Sequence, residues 1–121
     1  MNATVKDIMT PDVATVTRDA PFRKVAVALR AHHRTAFPVV DGAGTVVGVV
    51  SDDDLLDCLG SHQAASAVAA DLMRHPAITV TPDESAEHAL RLMCIFRVRE
   101  IPVVDESGHL TGIVARTNVL G

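Results

Sequence analysis

The chain has 121 residues, the size of a single domain, and folding at that length buries about two thirds of the unfolded surface. Phe22, Phe37 and Phe96 are the whole of its Phe, Tyr and Trp content and the net charge is −4, so the stacking platform and basic surface of a nucleic-acid binder are both missing. The apolar fraction of 48% comes without an apolar run of about 18 residues, which excludes a helical membrane span and points to an apolar interface, most economically a homodimer.

In chain order, the β-branched Thr15-Val16-Thr17 segment reads as a strand. Asp19 follows as a cap for a helix whose apolar residues Phe22, Val25, Ala26 and Leu29 recur at i, i+3, i+4 and i+7 with Arg23, Lys24 and Arg30 between them. Phe37 to Val40 and Val46 to Val50 are apolar runs around a polar, Gly-containing turn, Asp41 to Thr45, and predict a hairpin. Pro38 is tolerated at the start of a strand, where no ladder donor is needed. Ser51 and Asp52 to Asp54 lead into a short helix through Leu55, Leu56 and Leu59; Gly60 to Gln63 ends it, and Ala64 to Met73 is expected to be helical before a strand, Ala77 to Thr81.

From there the chain reads a second time. Shifted by 64 positions, Asp7 to Asp57 lies on Asp71 to Gly121 without a gap, and 14 of the 51 pairs are identical. Chance gives about three. Asp7 and Met9 recur as Asp71 and Met73, Thr15-Val16-Thr17 as Thr79-Val80-Thr81, and Asp19 as Asp83. Pro38-Val39-Val40-Asp41 recurs as Pro102-Val103-Val104-Asp105, followed by Gly44/Gly108, Gly48/Gly112, Val50/Val114 and Leu56/Leu120. The second helix keeps its apolar register as Ala86, Ala89, Leu90 and Met93. Two copies of strand, helix, strand, strand, helix predict an α/β fold, α+β by some schemes, built as a pseudo-twofold pair around one shared core. The copies are expected at 1–60 and 69–121, with a linker or helix at 61–68. The second copy stops where the first continues into Asp57-Cys58-Leu59, so the last helix is expected to be truncated and an effector domain to lie outside this chain.

These residues resemble the CBS domain, the family named after cystathionine β-synthase. Val5 to Pro11, the Pro-Val-Val-Asp strand, and Gly48-Val49-Val50-Ser51-Asp52-Asp53-Asp54-Leu55-Leu56 look like its opening, middle and closing motifs. Asp71-Leu72-Met73, Arg99 to Asp105 and Gly112 to Leu120 repeat them in order. The resemblance implies a non-catalytic regulatory module that dimerises and binds an adenosine-containing ligand (AMP, ADP, ATP or S-adenosylmethionine) in clefts between repeats. It implies that Ser51 and Asp54 contact ribose and phosphate, that Phe37, Pro38, Thr15, Val16 and Thr17 line the cleft, and that Arg99, three positions before Pro102, reaches phosphate together with Arg116. In the second cleft the matching residues are Thr79, Val80, Thr81, Ile101, Pro102 and Asn118, with Ala115 where Ser51 stands. An Asn offers one neutral oxygen in place of a carboxylate, and charge-assisted bonds are about twice as strong as neutral ones, so the Asp54 cleft is expected to be the better binder.

Each of these residues has a plainer role too. Ser51-x-x-Asp54 is also a capping box, and acids at Asp52 to Asp54 suit a helix N-terminus. Phe37 and Ile101 are also core residues. Three carboxylates in one turn repel a polyphosphate by ~4 kcal/mol per unit pair at ~4 Å and a dielectric near 20, unless Arg97, Arg99 and Arg116 answer them; AMP or S-adenosylmethionine is therefore expected over ATP without Mg²⁺. Cys58 and Cys94 lack CxxC spacing and read as reduced thiols of a cytoplasmic protein; the histidines have no partner at metal-ligand spacing, and no metal site or catalytic motif is found. The competing expectation is a structural dimerisation module that binds no nucleotide.

Overall fold

A computed structural model of the chain describes residues 2–11, 13–61 and 64–120. Its elements are α1 (Val5–Ile8), β1 (Val16–Thr17), α2 (Phe22–Ala31), β2 (Ala36–Val40), β3 (Val46–Ser51), α3 (Asp52–Leu59), a 3-10 turn (Ala64–Ser66), α4 (Ala69–Leu72), α5 (Ala86–Phe96), β4 (Glu100–Val104), β5 (Leu110–Ala115) and α6 (Arg116–Leu120). Helix and strand are mixed as the sequence predicts. The chain divides into two compact units, Ala14–Ala77 and Met1–Val13 with Ile78–Gly121.

In the unit Ala14–Ala77, β1 runs parallel to β2, and β2 pairs antiparallel with β3 in the register Phe37 to Val50 and Val39 to Gly48. Phe37 and Val39 alternate onto one sheet face and Val50 stands opposite Phe37, so all three share that face. Against it pack Val25 and Leu29 of α2, Leu55 of α3 and Ala69 of α4, together with Val16 and Ala20. The other unit repeats the hairpin as β4 and β5 and gathers Val80, Ala86, Ala89, Met93, Ile101, Val103, Val114 and Val119 around Val5.

The one shared core expected from the sequence is thus two apolar clusters, and the openings of the copies have changed places. Val5 of α1 belongs to the cluster of the second copy, and Ala69 of α4 to that of the first. Backbone bonds hold both exchanges: Val5 donates to Glu84 at 2.8 Å and Ala86 to Ala3 at 2.9 Å, while Ala69 donates to Ala20 at 2.8 Å and Phe22 to Ala67 at 2.9 Å. Size is traded as well. The cluster that receives the small Ala69 holds Phe37, Val25 and Leu55, where the cluster that receives the larger Val5 holds Ile101, Ala89 and Val119. Compensation of this kind keeps two cores filled on one template.

The two hairpin turns are built alike. Asp41 Oδ1 accepts from the amides of Ala43 and Thr45, both at 3.0 Å, and Asp105 Oδ1 accepts from Ser107 at 2.9 Å and His109 at 3.0 Å. Gly44 and Gly108 close them at φ 84° and 83°, the left-handed region that glycine enters without a Cβ penalty.

Three local expectations are corrected. Ala64 to Met73 is not one helix: Ala67 and Val68 are non-helical between the 3-10 turn and α4, because the Ala67 carbonyl accepts from the Phe22 amide and the Ala69 and Ala70 amides donate to Ala20 and Arg18. Ala77 to Thr81 is not a strand; Val80 alone forms a parallel bridge, to Val103. Asp19 and Asp83 do not cap helices. Each accepts the hydroxyl of the threonine two residues before it, Thr17 or Thr81, and the N-caps are Pro21 and Ser85, whose hydroxyl accepts from His88 at 3.0 Å. Within the predicted break, Gly60 caps α3, and His62 and Gln63 lie outside the described residues.

Asp7, at the third position of α1, accepts from the Thr4 amide and hydroxyl, both at 3.0 Å, and the amide bond above all holds its carboxyl below the usual carboxylate range. The Thr17 hydroxyl does the same for Asp19. A depressed carboxyl adds stability above its unfolded value near 3.9 and loses it as pH falls through the folded value. Stability should therefore decline on acidification below about pH 4, and less steeply for Asp7→Asn or Asp19→Asn, as read by denaturation midpoints across pH.

Candidate functional site

The residues singled out by the repeat comparison sort by unit. Thr15, Val16, Thr17, Phe37, Pro38, Ser51 and Asp54 all belong to Ala14–Ala77; Thr79, Val80, Thr81, Arg99, Ile101, Pro102, Arg116 and Asn118 belong to the other. Pro38, Pro102, Phe37 and Ile101 are buried, the last two as core residues. Thr15 and Thr17 are exposed at the end of the sheet beside buried Val16. Val80 spends its amide on Pro102 at 3.2 Å and its carbonyl on Val104 at 2.9 Å.

Ser51 ends β3 and caps α3. Its Oγ accepts from the Asp54 amide at 3.2 Å while its own amide donates to Asp54 Oδ2 at 2.9 Å, the reciprocal pair of a capping box. The other oxygen, Oδ1, receives Nε of Arg74 at 3.5 Å. The Asp54 side chain is 10% exposed and that of Arg74 64%. Backbone bonds in both directions between Arg74 and Val49, at 2.9 and 3.1 Å, anchor Arg74 beside β3 and deliver its side chain to the start of α3.

Arg74 escaped the reading of the sequence, which looked to Arg97, Arg99 and Arg116 for a counter-charge. The signal was present in the repeat comparison, since position 74 answers to Thr10 and is one more place where the copies part in charge.

The equivalent corner of the other unit keeps half of this arrangement. Ala115 donates its amide to Asn118 Oδ1 at 2.8 Å, with no hydroxyl to return a bond. Arg116 N–H donates to the Arg99 carbonyl at 2.9 Å, as Asp52 N–H donates to Thr35 in the first copy. Two exposed cations thus open α6 where an acid and a threonine open α3.

Beside Asp54, a groove of about 480 Å³ is lined by Asp57, Cys58, Ser61, Ser66, Ala67, Asp71 and Leu72 from α3, the 3-10 turn and α4. Its volume lies in the range of small-molecule sites, ~300–1,000 Å³. Three carboxylates on its walls suit hydroxyl donors and disfavour a polyanion. Asp71 is itself engaged, accepting the Val68 amide at 3.0 Å. Among the described residues no cluster of three His, Cys, Asp or Glu side chains is placed to hold a metal ion, and no helix is long and apolar enough to cross a membrane.

Comparison with known proteins fits this geometry. The chain is 32% identical over 114 residues to the CBS domain-containing protein YhcV of Bacillus subtilis, covering 93% of this chain and 80% of that one. It spans less of two archaeal relatives, 62% and 44% of their lengths. Among solved structures, CBSX2 in complex with AMP superposes with a TM-score of 0.86 at 35% identity, over 97% of this chain and 93% of that one. The CBS domain pair of protein MJ0100, in complex with 5-methylthioadenosine and S-adenosyl-L-methionine, gives 0.89 at 25% identity, over 98% and 97%. The family model for the CBS domain matches residues 5–61 and again 68–121, so the exchanged openings, the paired hairpins and the capped closing helices are those of a tandem, and the chain belongs to the CBS domain family.

Proposed function

We propose that this chain is a non-catalytic regulatory module that senses an adenosine-containing ligand at the Ser51–Asp54 corner. The observation that carries the reading is the state of Asp54: one oxygen is fixed on the Ser51 amide, and the other is held, among the described residues, by one long contact to a mostly exposed arginine. A ribose hydroxyl can replace Arg74 at Oδ1 without disturbing the capping box, and the released guanidinium is then free to turn to a phosphate or carboxylate of the same ligand. Two structural neighbours solved with AMP and with S-adenosyl-L-methionine support the ligand class.

Between ligands, the acids Asp52 to Asp54, Asp57 and Asp71 favour low negative charge. AMP and S-adenosylmethionine are thus preferred to ADP or ATP without Mg²⁺. Thr15, Val16, Thr17, Phe37 and Pro38 of the same unit complete the proposed site; Arg99 and Arg116 of the other unit are proposed as ligand contacts on the family resemblance alone. The corner at Ala115 and Asn118, with Thr79, Val80, Thr81, Ile101 and Pro102, forms a weaker one.

The module is further proposed to act as a cytoplasmic homodimer read by an effector domain or protein. Val27, Leu56, Leu59, Ile95 and Leu120 are each at least 60% exposed, an apolar cost that a partner surface removes.

A thermal-shift panel of AMP, ADP, ATP with and without Mg²⁺, and S-adenosylmethionine tests the ligand reading. Ligand at 100 times its dissociation constant should stabilise by ~2.7 kcal/mol, a rise of several degrees, with AMP or S-adenosylmethionine ahead of Mg²⁺-free ATP. No rise with any of them would leave the purely structural dimerisation module as the reading.

A further inference from the structure

Two methionines rest on strand backbone. A Cβ at position 48 would lie 2.6 Å from Met73 Sδ and 2.8 Å from the Arg74 carbonyl oxygen; one at position 112 would lie 2.9 Å from Met9 Sδ and 2.8 Å from the Thr10 carbonyl oxygen. Each thioether thus fills the niche that a glycine leaves open. Beside each niche the residue after the methionine joins the strand by two backbone bonds, Arg74 with Val49 at 2.9 and 3.1 Å and Thr10 with Ile113 at 2.8 and 2.9 Å. Met9 and Met73 are half-buried at the margins of their clusters, whereas Met93 lies inside its cluster at 2% exposure. A small oxidant in water therefore reaches the first two and not the third.

We infer that hydrogen peroxide converts Met73 to its sulfoxide, and that this modification opens the Arg74–Val49 bridge and takes Arg74 away from Asp54. In the step, a lone pair of Sδ attacks one peroxide oxygen and the S–O bond forms as the O–O bond breaks. The departing hydroxide takes the proton from the transferred oxygen and leaves as water; sulfur loses two electrons and the peroxide gains them. The product is polar and one oxygen larger. Inside the niche the new oxygen stands beside the Arg74 carbonyl, which repels it, and the Val49 amide is already given to that carbonyl. Turned outward, it uncovers Gly48 and the bridge to water. Either way the bridge is weakened, and with it the placement of the guanidinium whose Nε stands 3.5 Å from Asp54 Oδ1. The same chemistry at Met9 has less to act on, because Thr10 carries no charge and the matching corner holds Asn118. The consequence for a ligand rests on the reading of Asp54 given above: a loosened Arg74 no longer stands ready for a phosphate, so AMP is held more weakly. Thiol-dependent reduction, in which two thiols become a disulfide and the sulfoxide oxygen leaves as water, reverses the change.

Native chain, Met73→Leu and Met9→Leu are treated with hydrogen peroxide and then with dithiothreitol, which reduces disulfides and sulfenic acids of Cys58 and Cys94 but leaves sulfoxides. Leucine keeps the apolar volume of methionine. Peptide mass spectrometry should show the gain of one oxygen at Met73 and Met9 well before Met93. Amide hydrogen exchange at Val49 and Arg74 should then quicken about tenfold in oxidised native chain, the order expected when a pair of backbone bonds opens, and methionine sulfoxide reductase should return it to the native rate. Treated Met73→Leu should keep the native rate at these two amides while Thr10 and Ile113 still quicken, and treated Met9→Leu should show the converse. AMP should bind oxidised native chain about fivefold or more weakly, and treated Met73→Leu as it binds untreated Met73→Leu. Met73 oxidising no faster than Met93, or Met73 sulfoxide with native exchange at Val49 and Arg74, would overturn the proposal; so would equal quickening in treated Met73→Leu. Quickened exchange with unchanged AMP affinity would overturn the link from Met73 to Asp54. A native chain that binds no AMP before treatment would overturn the ligand reading instead, and the exchange rates alone would then decide whether Met73 controls the bridge.

Discussion

Phe37→Ala should cost about 3–5 kcal/mol, a large share of the ~5–15 kcal/mol that holds a domain of this kind together. The ring is 1% exposed and lies in the cluster formed by Val25, Leu29, Val39, Val50 and Leu55. His32 meets it edge-on with ring centroids 5.7 Å apart, and the Arg34 guanidinium carbon stands 5.6 Å from its centroid. Truncation therefore removes transfer free energy, leaves a cavity between sheet and helices, and strips one imidazole and one cation of their aromatic partner. The second copy supplies a control. Ile101 fills the matching position, so Phe37→Ile should lose far less than Phe37→Ala in chemical denaturation. A loss below about 1 kcal/mol for Phe37→Ala would mean that the cluster does not depend on this ring.

Gly48→Ala should destabilise by about 1–3 kcal/mol, although alanine suits a strand better than glycine by ~0.5–1 kcal/mol. A Cβ on Gly48 would lie 2.6 Å from Met73 Sδ and 2.8 Å from the Arg74 carbonyl oxygen. The thioether can swing away. The carbonyl cannot, because it accepts the Val49 amide at 3.1 Å in the bridge that ties the segment before Ile78 to β3. Gly112 is placed alike, with the Thr10 oxygen at 2.8 Å and Met9 Sδ at 2.9 Å from its virtual Cβ. Gly112→Ala should thus give a similar loss, and adding Met73→Ala to Gly48→Ala should not restore the stability. Equal or higher denaturation midpoints for either glycine variant would show that the openings do not press on these strands.

The recurrence of Met9/Met73 and Gly48/Gly112 was visible in the sequence, but its reason was not. Each methionine of an opening motif packs on the glycine of the other copy's closing strand, a contact between residues far apart in the chain that no local pattern encodes. The hairpins were legible because β-branched runs and an Asp-x-x-Gly turn are local features: the carboxylate, the turn amides and the positive φ lie within five residues. The segment from Ala64 to Met73 was not, because its backbone bonds go to Arg18, Ala20 and Phe22, and these override a helical composition. Asp19 and Asp83 looked like caps by spacing. The nearer threonine hydroxyl claims each of them, and both helices begin three residues later.

The Ser51–Asp54 pair was legible as a capping box, which the structure shows, and the ligand contact is what the resemblance implies; Oδ1 of Asp54 stands outside the bonds of that box. Arg74 was missed because its approach depends on the bridge to Val49, not on proximity in sequence. Position 74 departs from Thr10 by a cation, just as positions 51 and 54 depart from Ala115 and Asn118 by a hydroxyl and a carboxylate.

Calorimetric titration of AMP and S-adenosylmethionine into native chain and Asp54→Asn is the most direct test of the ligand site. Asn118 shows that an amide oxygen accepts the cap bond at 2.8 Å, so the substitution keeps the bond that caps α3 while it removes the carboxylate's charge and replaces its second acceptor oxygen by an amide donor. The variant should unfold at nearly the native midpoint yet bind its ligand about tenfold or more weakly, a loss of ~1.4 kcal/mol or more. Native affinity in a folded Asp54→Asn chain would contradict the assignment of Asp54 as the ligand's anchor.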